Sequence, residues 1–152
     1  MIRIEARQHF PVSLRDGFDY ITTVSNWPEY WPRLVRVEPG SRWRAPGDQA
    51  RLVLRLLGRP VGLEMTLCRL EPYRLVEYTS VQRGLPDARH ERHFADAEGG
   101  FDYRLVVELE RRSGWRGLYD RALVRRATER AMRETLANLR TVLGARERAS
   151  CL

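Results

Sequence analysis

The sequence predicts an α+β domain in which one antiparallel sheet of about seven strands curls round a single long C-terminal helix. Three observations carry that expectation. Apolar and polar residues alternate over residues 2–10, and the same alternation recurs in six runs between 33 and 111. A proline-free amphipathic stretch with helical periodicity then occupies residues 115–145. The turns between the runs are too short for the crossover that parallel neighbours need, so the strands pair antiparallel.

The elements follow in order. Ile2, Ile4, Ala6 and Phe10 alternate with Arg3, Glu5, Arg7 and His9, the pattern of a half-buried strand. Ser13, with Asp16 three residues on, opens a helix whose apolar side carries Leu14, Phe18, Ile21 and Val24. Pro28 and Pro32 then leave room for only a short second helix within 25–32. Pro39-Gly40, Pro46-Gly47, Gly58-Arg59-Pro60, Pro72-Tyr73, Gly84-Leu85-Pro86 and Gly99-Gly100 punctuate strands near 33–38, 49–57, 61–71, 74–83, 88–95 and 101–111. On the last helix Thr128, Met132, Thr135, Leu136, Leu139 and Leu143 share one stripe, with Arg126, Arg130, Arg133 and Arg140 opposite. A sheet with one buried face and a single helix buries little unless it curls over that helix. The hollow left between them is where a small ligand would sit.

At 152 residues and 17.8 kDa the chain is sized for one domain, read as residues 1–145 with a tail at 146–152. No apolar run is long enough to span a bilayer, and MIRIEARQHF has no signal-peptide core, so a cytoplasmic-type domain is expected. Cys68 and Cys151 form no CxxC and no disulfide framework. All 27 basic residues are arginine, which excludes a Schiff-base, pyridoxal or P-loop lysine. Residues 111–148 hold 11 arginines against 4 acids, an excess equal to the whole net charge of +7. No nucleotide-binding, serine-hydrolase or zinc-protease motif is present, and no cofactor or metal is expected.

Phe10-Pro11-Val12, Asn26-Trp27-Pro28-Glu29-Tyr30-Trp31-Pro32, the Leu70–Tyr78 stretch and Glu134-Thr135-Leu136-Ala137-Asn138-Leu139-Arg140 together resemble the START-like, or SRPBCC, superfamily. That superfamily includes the polyketide cyclase/dehydrase, coenzyme Q-binding and Bet v 1-like branches. The resemblance implies a helix-grip fold with an apolar cavity. It implies no single chemistry, since members bind sterols, lipids, quinones, polyketides or hormones and only some catalyse.

Two functions lead, and a third is a peripheral membrane or quinone-handling protein that uses the basic helix. One is binding of a hydrophobic or amphipathic small molecule, lipid, polyketide or quinone-like. The other is a polyketide cyclase, aromatase or dehydrase. The strand period places His90, Arg92 and Phe94 on one face, and His93 on the other. With Phe94 inward, His90 and Arg92 enter the cavity; Tyr103 joins them from the next strand. In the cyclase reading Arg92 stabilises an enolate and His90 or Tyr103 moves the proton, as a histidine pKa near 6.5 suits. Leu54, Met65, Leu67, Tyr103, Leu105, Met132 and Leu136 are expected to line the cavity, with Arg125 at its mouth, since Arg121 and Arg125 fall on the apolar stripe. The basic C-terminal helix offers a membrane-surface contact. No nucleic-acid partner is expected, because Glu129 and Glu134 interrupt the basic face and no recognition motif accompanies it. The protein is expected as a monomer or homodimer.

Overall fold

The element order in a computed structural model, which describes residues 1–151, follows the order read from the sequence. Strand β1 (Ile2–Phe10) leads into α1 (Leu14–Thr22), a 3-10 turn (Val24–Asn26) and the short α2 (Trp27–Tyr30). Six strands follow: β2 (Leu34–Val37), β3 (Gln49–Leu56), β4 (Arg59–Glu71), β5 (Leu75–Val81), β6 (Ala88–Ala97) and β7 (Gly100–Leu109). The chain ends in α3 (Gly114–Tyr119), a π-helical turn (Asp120–Val124) and α4 (Arg125–Ser150).

All neighbouring strands pair antiparallel, in the order β1-β7-β6-β5-β4-β3-β2. The register aligns side chains into rows on the concave face. Ile4, Val107, His90, Tyr78 and Leu67 form one row, and Ala6, Leu105, Arg92 and Val76 the next. Because facing residues of an antiparallel pair share a face, the inward period of one strand fixes that of its neighbour. The α4 stripe of Met132, Leu136, Leu139 and Leu143 is buried in the same core, and α4 packs on β1 and α2.

Local chemistry explains the boundaries. Ser13 Oγ accepts a hydrogen bond from the Asp16 backbone N–H at 3.2 Å, capping α1. On the buried face of α1, Gly17 sits so close to Phe101 that a Cβ there would lie 2.2 Å from the ring. The short α2 is tied in by Trp27 Nε1–H and the Tyr30 hydroxyl, which both donate to the Ile21 carbonyl, at 2.9 and 2.8 Å.

Two expectations need correction here. The C-terminal helix, expected over 115–145, runs on through Ser150; Leu152 lies outside the described residues. Counting the helix at a constant angle also fails across the π-helical turn, whose wider winding shifts the phase. The buried positions before α4 are Gly117, Asp120 and Val124, and Arg121 is exposed.

Candidate functional site

The most unusual group in the interior is Arg92, in the middle of β6 and only 6 % exposed. Its Nη2 donates to the Tyr78 hydroxyl at 3.0 Å, and its guanidinium carbon lies 5.0 Å from the Tyr78 ring centre and 5.6 Å from that of Trp31. No carboxylate pairs with it among the described residues, and Nε is a buried donor without a partner. Burial works against the charge, but the oxygens of Tyr78, Tyr103 and Tyr30 outweigh it and the guanidinium stays protonated. Burial pushes the Tyr30 hydroxyl up to about 12 and Tyr103 further still, with Arg92 pulling against both. The result is a cation enclosed by neutral phenols and an indole, a setting in which an arriving anion or carbonyl oxygen meets little competition from water.

His90 stands one strand period away on the same face. Its ring stacks on Tyr78 with centroids 4.4 Å apart, and Nε2 lies 2.8 Å from Ser80 Oγ. Burial, and then the Arg92 charge, lower its pKa to about 3. The expectation of a histidine near its ordinary value is therefore overturned. The imidazole is neutral at physiological pH and a weak base, suited to holding or receiving a hydrogen bond rather than abstracting a proton.

The structure brings His90, Arg92 and Tyr103 together on the concave face, as the strand period predicted. Tyr103 faces Phe94 in the β6–β7 register, and Leu105 faces Arg92. Leu54, Met65 and Leu67 are buried on β3 and β4, and Met132 and Leu136 are buried on α4. Arg125 is not brought to this cluster. It is exposed, donates from Nε to Glu129 at 3.0 Å, and borders a surface cleft of about 360 Å³ with Arg3, Glu5 and Arg133. His93 lies on the outer face, with Nε2 2.8 Å from Glu91. Glu64 and Glu77 also face outward, paired with Arg51 and Arg89.

Sequence reasoning passed over Tyr78 and Trp43. Tyr78 lies between Val76 and Ser80 on the inward period of β5, a signal that was available; its pairing with His90 was not. Trp43 lies in the β2–β3 loop, where no periodicity points to it. Its ring meets Tyr78 and Trp27 edge-on at 5.4 Å each. Outside, Trp43 borders a cleft of about 870 Å³ between residues 22–25 and 41–48. Trp43 thus stands between solvent and the Tyr78–Arg92 pair.

The fold agrees with that of known proteins. A family model described as polyketide cyclase / dehydrase and lipid transport matches residues 1–144. The Zhui aromatase/cyclase from Streptomyces sp. R1128 superposes with a TM-score of 0.82 at 14 % identity, covering 98 % of this chain and 97 % of that one. Ara h 8.0201 gives 0.76 at 11 % identity over 95 % and 98 %. A protein from Thermus thermophilus gives 0.75 at 15 % identity over 95 % and 98 %. At these identities the likeness is one of fold. No curated protein sequence matches.

Proposed function

The chain belongs to the polyketide cyclase / dehydrase and lipid transport family, and from that premise we propose that it binds a hydrophobic or amphipathic small molecule between the concave sheet and α4. The ligand presents an acceptor oxygen, as a carboxylate, phenolate or polarised carbonyl, to Arg92. Leu54, Met65, Leu67, Leu105, Met132 and Leu136 supply the apolar walls, Tyr103 a hydroxyl donor, and the cleft beside Trp43 the way in. The observation that carries this reading is the buried, carboxylate-free guanidinium with its unsatisfied Nε. An ion pair already made inside the protein leaves no such donor, whereas a ligand oxygen completes it.

The cyclase reading uses the same groups. Arg92 and the Tyr103 hydroxyl are donors that stabilise charge developing on a carbonyl oxygen as it becomes an enolate. The two hydroxyl and imidazole candidates are nevertheless poor bases, His90 because its pKa is near 3 and Tyr103 because its phenol is held protonated. The group favours polarisation and binding over proton abstraction. For that reason binding is the leading reading.

Native mass spectrometry of the purified protein, followed by titration with an anilinonaphthalene sulfonate probe, tests it. The probe combines an apolar ring system with an anionic oxygen group. Binding weakened about tenfold or more by Arg92→Met, with the fold retained, supports the site; one hydrogen-bonded charge is worth that much. Unchanged probe affinity sinks it. With a β-keto thioester as substrate, lost turnover at retained affinity in Arg92→Met or Tyr103→Phe would establish the enzyme instead.

A further inference from the structure

Six of the large exposed apolar side chains lie along one rim of the sheet, whereas Tyr73 lies on the opposite rim and Val35 within β2. In this antiparallel order the β3–β4 turn, the end of β5 and the end of β7 with its following α3 all lie on that rim. They carry Leu57, Val81, Trp115, Leu118, Tyr119 and Leu123, each exposed, with Trp115 at 72 % and Leu57 fully so. Helix α3 and the π-helical turn are inverted relative to an ordinary surface helix. The small or polar residues Gly117 and Asp120 face inward with Val124, while Trp115, Leu118, Tyr119 and Leu123 face water.

That segment is held rigidly in this orientation. Arg112 grips the buried Asp120 through two bonds of 2.7 and 2.5 Å, and also donates to the Gly84 carbonyl of the β5–β6 turn at 3.2 Å. A Cβ on Gly117 would come within 2.2 Å of the Arg112 carbonyl oxygen, so this close approach needs glycine. Leu57 is held at φ +49°, in the left-handed region that costs a leucine about 1 kcal/mol or more. A fully exposed leucine thus occupies a strained hairpin tip.

Arginines ring these apolar tips. Arg59, Arg83, Arg111, Arg116, Arg121 and Arg126 are all exposed, and no salt bridge holds any of them among the described residues. Apolar and aromatic side chains projecting from separate turns, surrounded by cationic stems outside any salt bridge, match a bilayer interface with anionic headgroups. The apolar tips project from separate turns beside a cleft of about 270 Å³ lined by Arg111, Arg112, Leu118 and Arg121, so they complement a deformable, anionic surface.

We propose that this rim seats the protein on the surface of an anionic lipid bilayer, with Trp115, Leu118, Tyr119 and Leu123 entering the headgroup layer and the arginines contacting lipid phosphates. The contact lies at the N-terminal end of the long helix and the neighbouring turns, not along the Arg130–Arg140 face of α4. The cleft beside Trp43 belongs to the opposite rim and stays open to water. The proposal does not depend on the interior site.

Cosedimentation with vesicles tests it, comparing phosphatidylcholine alone with an equal mixture of phosphatidylcholine and phosphatidylglycerol. The full chain is expected to bind the anionic vesicles and not the neutral ones. Its tryptophan emission should shift to the blue, because Trp115 is exposed whereas Trp27 and Trp43 are already buried. Leu118→Ser with Leu123→Ser should weaken binding at least about tenfold, and Trp115→Phe should remove the shift. Both sites are exposed, so circular dichroism should stay unchanged. Three results overturn the proposal. They are failure to bind anionic vesicles, binding unaffected by the serine pair, and a dimer in sedimentation equilibrium that the serine pair dissolves, which would assign the rim to a second copy of the chain.

Discussion

Tyr78 and His90 stack face to face across the β5–β6 pair, their ring planes 4° from parallel, with Ser80 closing the far side of the imidazole and Arg92 on the same strand. Burial, and then the neighbouring Arg92 charge, favour the neutral ring.

A pH dependence follows from that relationship. The His90 pKa is about 3 in the folded protein against 6.5 as its ordinary value. Between those values the unfolded chain takes up a proton that the folded one refuses. The stabilisation is therefore complete above about pH 6.5 and is lost progressively as pH falls toward 3, by up to about 1.4 kcal/mol per pH unit. Urea unfolding at about pH 7 and about pH 5 should show it. His90→Gln, which keeps a partner for Ser80, should flatten the slope. An unchanged slope would mean that His90 is solvated.

Arg92 should cost the empty protein stability that it returns on binding. A buried charge without a counter-ion is expensive, and replacing it with an apolar side chain of similar length removes the expense. Arg92→Met is expected to stabilise the ligand-free protein by about 1 kcal/mol or more, while weakening binding of the sulfonate probe. Denaturant midpoints with and without the probe check both halves. A destabilised variant would show that the phenol cage satisfies the guanidinium by itself.

Asp120→Asn should loosen the start of the long helix. The Arg112 hydrogen bonds, ahead of burial working against them, hold the Asp120 carboxyl below its ordinary value. That contribution is present above the ordinary carboxylate range and disappears as pH falls through the lowered folded value. The variant should lower the thermal midpoint by several degrees and speed amide exchange in residues 114–124 before the rest of α4. Uniform exchange along the helix would mean that the pair anchors nothing.

Gly17→Ala sets helix propensity against space. Alanine is the better helix former by about 1 kcal/mol, but its Cβ would overlap the Phe101 ring. The ring is fully buried and has little room to yield. The expected net effect is a loss of about 1–3 kcal/mol, read from urea unfolding; a gain in stability would show that α1 can slide over β7.

His90, Arg92 and Phe94 were legible as one inward face because a strand alternates whatever it pairs with. The α4 stripe from Met132 to Leu143 was legible for the corresponding helical reason. Arg121 leaves the stripe because the π-helical turn breaks the count, and no residue in Asp120–Val124 announces a wider turn; Arg125, inside α4, opens onto the cleft with Ile4, Ala6 and Met132 and not onto Arg92.

The sequence by itself determined the element order, the antiparallel pairing and the inward face of each strand, because these depend on periods, turn residues and short connections that act locally. Only the tertiary structure decided that Tyr78 lies against His90, that Trp43 shields the pair from solvent, and that Arg92 sits among phenols without a carboxylate. Register and burial are properties of strands brought together across the sheet. A charge's state follows from the groups that end up around it, and those come from positions far apart in the chain.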